Sequence, residues 1–257
     1  MFLHETSYMN QLSKFPHLSR YVSNLKTIPS GSYHWGASPT KQMAGTVVSV
    51  APFRIGATPV TWGIWKEYCL SNSVSGTAIE LPVDPSGEYL DNHPVVNVSW
   101  EDIMSPGGFC DWASNVAGFK LSVPTDVEWE FAARGGYDCL DYPWGNYYDS
   151  AQLWNAKEYG GVAVTAAVDR SHRIFRNEYG LTDMIGNIAE WCFNDKGISA
   201  GWRGGRGCSP FVADPDSFLC KSWFLIVPDF TSDMFGFRLS AGIQETPSLW
   251  SRIFGGS

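Results

Sequence analysis

Charge is scarce in this chain: Asp, Glu, Lys and Arg make up 17% of its 257 residues, and Lys and Arg never form a run. Clustered cations are what hold a phosphate backbone, so a formal charge of −8 without such clusters argues against nucleic acid as a partner. The six cysteines, Cys69, Cys110, Cys139, Cys192, Cys208 and Cys220, include no CxxC pair, and the five histidines are scattered. No zinc spacing results, and each cysteine reads as a small core residue or a free thiol. No apolar run approaches the ~20 residues of a membrane span. The first residues, "MFLHETSYMNQLSKFPHLSRYV", lack a basic start followed by an apolar core, so neither an export address nor a membrane anchor is expected. Repeats and low-complexity tracts are absent as well.

What the chain has in quantity is rings and turn-formers: 12 Trp, 11 Tyr and 15 Phe beside 26 Gly and 15 Pro, with 44% hydrophobic residues overall. A globular, loop-rich domain follows, in which large side chains rather than long regular elements fill the core. Residues 1–24 read as a weakly helical polar arm, with the main domain running from 25 to 257. "LKTIPSGSYHWGAS" and "VVSVAPFRIGATPVT" alternate apolar and small residues around turns and predict strands. Thr61 stands before "WGIWKEYCLSN", whose Trp62, Trp65 and Cys69 share one helical face. Ser99 heads a second helix that Pro106 and the following glycines should break. Thr125 and Glu128 have capping-box spacing at the start of a third, with Gly135 as its stop. After Gly136 only short alternating pieces remain, which predicts loops and short strands over a small sheet, and an α+β class.

Taken together, "HPVVNVSWEDI", "KLSVPTDVEWEFAARGG", "YPWGN", "NEYGLTDMIGNIAEWC", "RGG" and "GFRLS" resemble, in order and spacing, the formylglycine-generating-enzyme (sulfatase-modifying factor) domain family. The resemblance spans about Leu25 to Ser240 and implies an elaborated C-type-lectin fold. It leaves function open, because this fold serves copper-dependent oxidases, iron enzymes of ergothioneine synthesis, pigment-maturation enzymes and non-catalytic ligand binders. The oxidases hold Cu(I) between two cysteines a few residues apart soon after the Gly-Gly motif, whereas Cys208 and Cys220 here are separated by eleven intervening residues. Copper is therefore not expected. The iron enzymes need a histidine-rich partner domain, and the N-terminal arm has only His4 and His17. No catalytic constellation stands out, and a copper- or iron-dependent oxidase is the alternative rather than the first reading.

The segment "DMIGNIAEW" matches one that wraps a structural calcium ion in the family, which would put ligand roles on Asp183, Gly186, Ile188 and Glu190. Between "RGG" and "GFR" the family is rich in Arg, Asn and Ser. Here the stretch reads "RGCSPFVADPDSFLCKSWFLIVPDFTSDMF". Most of its residue types are reachable from an AAC codon by replacing adenines, as in the variable proteins of diversity-generating retroelements, although Lys221, Trp223 and Met234 require other codons. The expectation is a variable region at about Arg203 to Leu239, displaying Phe211, Trp223, Phe224, Phe230, Thr231, Ser232, Asp233 and Met234 toward an unknown protein or other ligand. Phe235 and Asp229 are expected beside them, display on a cell or virus particle would come through a partner, and Trp129, Trp144 and Trp191 should be scaffold core.

Overall fold

The computed structural model of the protein describes residues 11–74, 78–154, 165–170, 174–194, 201–207 and 214–243. Helix α1 (Pro16–Ser23) has proline in its first turn, where no N–H partner is needed. Strands β1 (Lys26–Ile28), β2 (Gly31–Trp35), β3 (Thr46–Val50) and β4 (Phe53–Ile55) follow, where the alternating pattern placed them. The helices come next: α2 (Trp62–Val74), α3 (Trp100–Met104), α4 (Phe109–Ala117) and α5 (Asp126–Ala133). The break between α3 and α4 falls at the Pro106 turn. Ser99 and Thr125 each form a capping box, with Asp102 and Glu128 respectively. Gly135 and Gly136 both adopt positive φ, which ends α5.

The later half consists of short strands: β5 (Ala189–Cys192), β6 (Arg203–Arg206), β7 (Trp223–Ile226), β8 (Phe235–Gly236) and β9 (Ser240–Gly242). Among the described residues three small sheets result, ordered β1-β4-β9, β2-β3 and β7-β6-β5-β8. In the last, β6 runs antiparallel to both β5 and β7, and β8 lies parallel to β5. The mixed α+β, loop-rich architecture is the one the sequence predicts.

Rings do fill the interior. Trp65 stacks on Phe109 at 5.1 Å, and Phe109 meets Phe237 edge-on at the same distance. Trp129 and Trp191 are fully buried. Trp144 departs from expectation: it stacks on Tyr142 but remains partly exposed, its indole N–H donating to the Tyr147 carbonyl.

Helix α1 packs into the core rather than standing apart from it. Leu18 and Tyr21 are buried, and the Glu67 carboxylate of α2 accepts the first backbone N–H groups of α1, from His17 and Leu18. The Tyr21 hydroxyl donates to the Thr58 carbonyl and accepts the Leu239 N–H, both at 3.0 Å, so one phenol ties the N-terminal helix to the strand region at the far end of the chain. Replacing Tyr21 by Phe strands a buried N–H and a carbonyl. Urea unfolding should show a loss of about 1–3 kcal/mol with an unchanged slope.

Candidate functional site

The stretch between "RGG" and "GFR" is fastened at both ends by fully buried arginines. Arg206, on β6, donates to Asp126 (2.5 Å), faces Glu130 of α5 as an ion pair (3.0 Å), and donates to the Cys220 carbonyl further along the stretch. Glu130 in turn pairs with Arg134 at 2.6 Å. At the other end, Arg238 grips both Glu190 oxygens at 2.7 Å and donates to the Gly56 and Thr182 carbonyls. Burial alone would lower the pKa of either guanidinium, but the facing carboxylates outweigh it and raise both. These groups remain charged, and each is matched.

Between the anchors, β7 forms the edge of its sheet among the described residues and exposes three residues in succession. Trp223, Phe224, Leu225, Val227 and Phe230 are each 37–42% exposed. Alternation still operates. Ile226 is buried, and Phe224 and Phe230, although partly open, lay their rings against buried Phe235. The odd-numbered row Trp223, Leu225, Val227, Asp229 and Thr231 is exposed throughout. Gly205, opposite Phe224, makes room: a Cβ there would lie 2.5 Å from the Phe224 ring and 2.8 Å from that of Phe235.

Main-chain bonds hold the path beyond β7. Trp100 N–H donates to the Pro228 carbonyl (3.0 Å), Asn97 N–H to that of Ser232 (2.9 Å), and Ala189 N–H to that of Met234 (2.8 Å). The motif "NVSW" thus clamps the loop through its main chain at those points.

Of the residues nominated for display, Trp223, Phe224, Phe230 and Thr231 are exposed, while Ser232, Asp233 and Met234 are half-buried at the base of the loop. Phe211 lies outside the described residues. Phe235 is not on the surface: its ring sits 4.6 Å from that of Trp191 and supports the others from beneath. Leu225 and Val227 belong to the exposed row and had escaped nomination, though strict alternation counted from Trp223 points to them. Sequence offered no sign of the groove beside β7. It encloses about 990 Å³ and is lined by Trp35, Met43 and Thr46 from the β2–β3 region together with Lys221, Trp223 and Phe224.

The calcium ligands implied by the resemblance are not free to bind one. Glu190 spends its carboxylate on Arg238 and on the Trp129 indole N–H (2.9 Å). Asp183 is engaged by Arg170 and by Asn187. The Gly186 carbonyl accepts the Ile188 N–H at 2.8 Å. Calcium asks for six to eight oxygens carrying net negative charge, so this arrangement does not fit the ion. The Cys220 thiol does not suit copper either. Cys220 is completely buried and burial pushes its pKa up to about 12, which disfavours the thiolate that would bind the metal. Cys208 lies outside the described residues, and no His/Cys/Asp/Glu cluster able to hold a metal occurs among the described ones. No helix among them is long and apolar enough to cross a membrane.

A mixed α+β scaffold of short sheets, with an open aromatic edge held between buried arginine anchors, defines a loop-rich domain of the C-type-lectin-like kind. The chain belongs to the family of the sulfatase-modifying factor enzyme 1-like domain, whose model matches residues 13–242. Over 87% of the chain and 90% of the relative's length it is 29% identical to the inactive C-alpha-formylglycine-generating enzyme 2 of Bos taurus. It is 31% identical to the formylglycine-generating enzyme of Thermomonospora curvata, over 72% of the chain and 68% of that protein. Among solved structures, Treponema denticola variable protein 1 shares the fold, with a TM-score of 0.62, 22% identity, and coverage of 85% of this chain and 95% of that one.

Native alkylation tests the placement of the thiols. Iodoacetamide at neutral pH should label half-exposed Cys139 while sparing Cys192 and Cys220, whose pKa values burial also raises. Peptide mass spectrometry reads the pattern, and denaturant should erase the difference.

Proposed function

We propose that this protein is a ligand binder without catalysis of its own, presenting the surface of β7 and the loop after it on a rigid lectin-like scaffold. The observation that carries this reading is the division of labour in that stretch. Its path is set by buried arginines and main-chain hydrogen bonds, while an exposed row of large apolar and acidic side chains takes no part in holding it. Such a surface accepts new side chains with little penalty to the fold. That is the property a diversified binding site requires, and large rings supply contact area at low entropic cost. An apolar patch kept at the surface marks an interaction site. The fold shared with the Treponema variable protein and the relative named inactive support the same reading. The unknown partner is a protein or other ligand that meets this patch, and diversification of the codons for Arg203 to Leu239 is part of the proposal.

Panning a random-peptide phage library against the native protein provides the test. Enriched peptides should lose at least tenfold in affinity for variants with Leu225→Ser and Val227→Ser, a loss of about 1.4 kcal/mol or more. A Leu70→Ser control, at an exposed site on α2, should bind normally. The two surface variants should keep their stability within about 0.5 kcal/mol, whereas Phe235→Ala should cost about 3–5 kcal/mol. Peptides indifferent to Leu225 and Val227 would contradict the proposal. So would oxygen consumption by the copper-loaded protein in the presence of a cysteine-containing peptide and a thiol reductant, which is the outcome expected of an oxidase.

A further inference from the structure

The segment from Leu181 to Trp191 turns back on itself through Asp183, Gly186 and Asn187, all in the left-handed region with φ of 53°, 81° and 64°. A turn of this kind gathers carboxylate and carbonyl oxygens in a dry place, and buried oxygens must be matched by donors or by positive charge. We infer that the cation matching them at Asp183 is the side chain of Arg170, a guanidinium standing where the family resemblance implies a calcium ion, and that this turn folds independently of calcium.

Several contacts converge on the assignment. Arg170 meets Asp183 in a two-pronged pair, Nη2 to Oδ1 at 2.6 Å and Nη1 to Oδ2 at 2.9 Å, with side chains 6% and 2% exposed. The same Nη1 donates to the Ala167 carbonyl at 3.0 Å, and the guanidinium carbon lies 5.9 Å from the centre of the Trp154 ring. One arginine is therefore held by a carboxylate, a carbonyl and an aromatic face, which is the geometry that makes Arg rather than Lys the suitable cation. Asn187 closes the shell from the other side, donating to Asp183 Oδ2 and exchanging hydrogen bonds with the main chain of Ala166 in both directions.

Charge balance agrees. The turn brings two buried carboxylates, Asp183 and Glu190, and each already faces one guanidinium, from Arg170 and Arg238. Arg238 also caps the Thr182 and Asp183 carbonyls through Nη2. Admitting a divalent ion would place two more positive charges beside a pair of cations, or would require expelling a buried guanidinium from its bonds. Neither route is favourable at low dielectric. This assignment does not rest on the ligand-binding reading and stands or falls separately from it.

Thermal unfolding of the whole protein tests it. The wild type should give the same Tm in millimolar EDTA and in millimolar CaCl2, and titrating CaCl2 into the EDTA-treated protein should give no saturable heat. Arg170→Met should lower Tm by about 5–15 °C, as removal of one member of a buried ion pair does. Arg170→Lys should recover part of that loss. Asp183→Asn should resemble Arg170→Met, and the double variant should fall little further than either single one, because the two residues act as a pair. A wild-type Tm that drops on chelation, saturable calcium uptake, an unchanged Tm in Arg170→Met, or a double variant showing the sum of the single losses would each overturn the inference. The calcium measurements on the wild type decide the matter even if Arg170→Met does not fold.

Discussion

The placement of the exposed stretch in this fold depends on how charge is handled in its interior. Arg206 and Arg238, both fully buried, stand at the two ends of the exposed stretch and are matched by Asp126, Glu130 and Glu190. Desolvating such groups is costly, and a well-formed pair does little more than offset that cost. Removing one partner, however, leaves a bare charge and costs roughly 3–5 kcal/mol. The pairs therefore act less as a source of stability than as a strict condition on geometry: β6, α5, β5 and the "GFR" strand region must meet in one register or not at all. The ends of the stretch between them are fixed by that condition.

With its ends fixed, the stretch separates path from content. Backbone N–H groups of Asn97, Trp100 and Ala189 hold its carbonyls, and Gly205 provides a flat bed for the rings of Phe224 and Phe235. Side chains on the odd-numbered row face outward and have no part in this. Even-numbered positions are constrained to different degrees: Ile226 is core, Phe224 and Phe230 rest on Phe235, and Ser232 supports the base of the loop. The exposed surface is consequently narrower than the stretch that departs from the family, with its boundary set by strand alternation. The neighbouring groove between Trp35 and Trp223 extends the apolar surface onto residues outside that stretch.

The same interior accounts for the chemistry that the site does not favour. A thiol in a dry, fully packed position such as Cys220 resists ionisation and cannot serve as a ready copper ligand. Carboxylates already gripped by guanidinium forks, as Glu190 and Asp183 are, cannot also surround a calcium ion. Family membership alone would leave both metals open, since members of one fold differ by the side chains placed in its sites. Here the buried Cys220 thiol bears on copper, and the guanidinium groups of Arg170 and Arg238 bear on calcium.

Local rules carried much of the architecture in sequence. The capping boxes at Ser99 and Thr125, the Pro106 break, the glycine stop after α5 and the alternating early strands all depend on contacts within a few residues, so they could be read directly. The apolar run from Trp223 to Val227 could be recognised as part strand and part surface for the same reason, because its alternation is local. Partnerships made across the fold could not. That Phe235 supports the surface from below, that Trp144 stays partly open, that Leu18 and Tyr21 draw the N-terminal helix into the core, and that Arg170 reaches Asp183 are all settled by which elements come to lie side by side. A motif such as "DMIGNIAEW" specifies a turn that gathers oxygens. Which positive charge answers them depends on an arginine thirteen residues earlier, and only the folded chain brings it there.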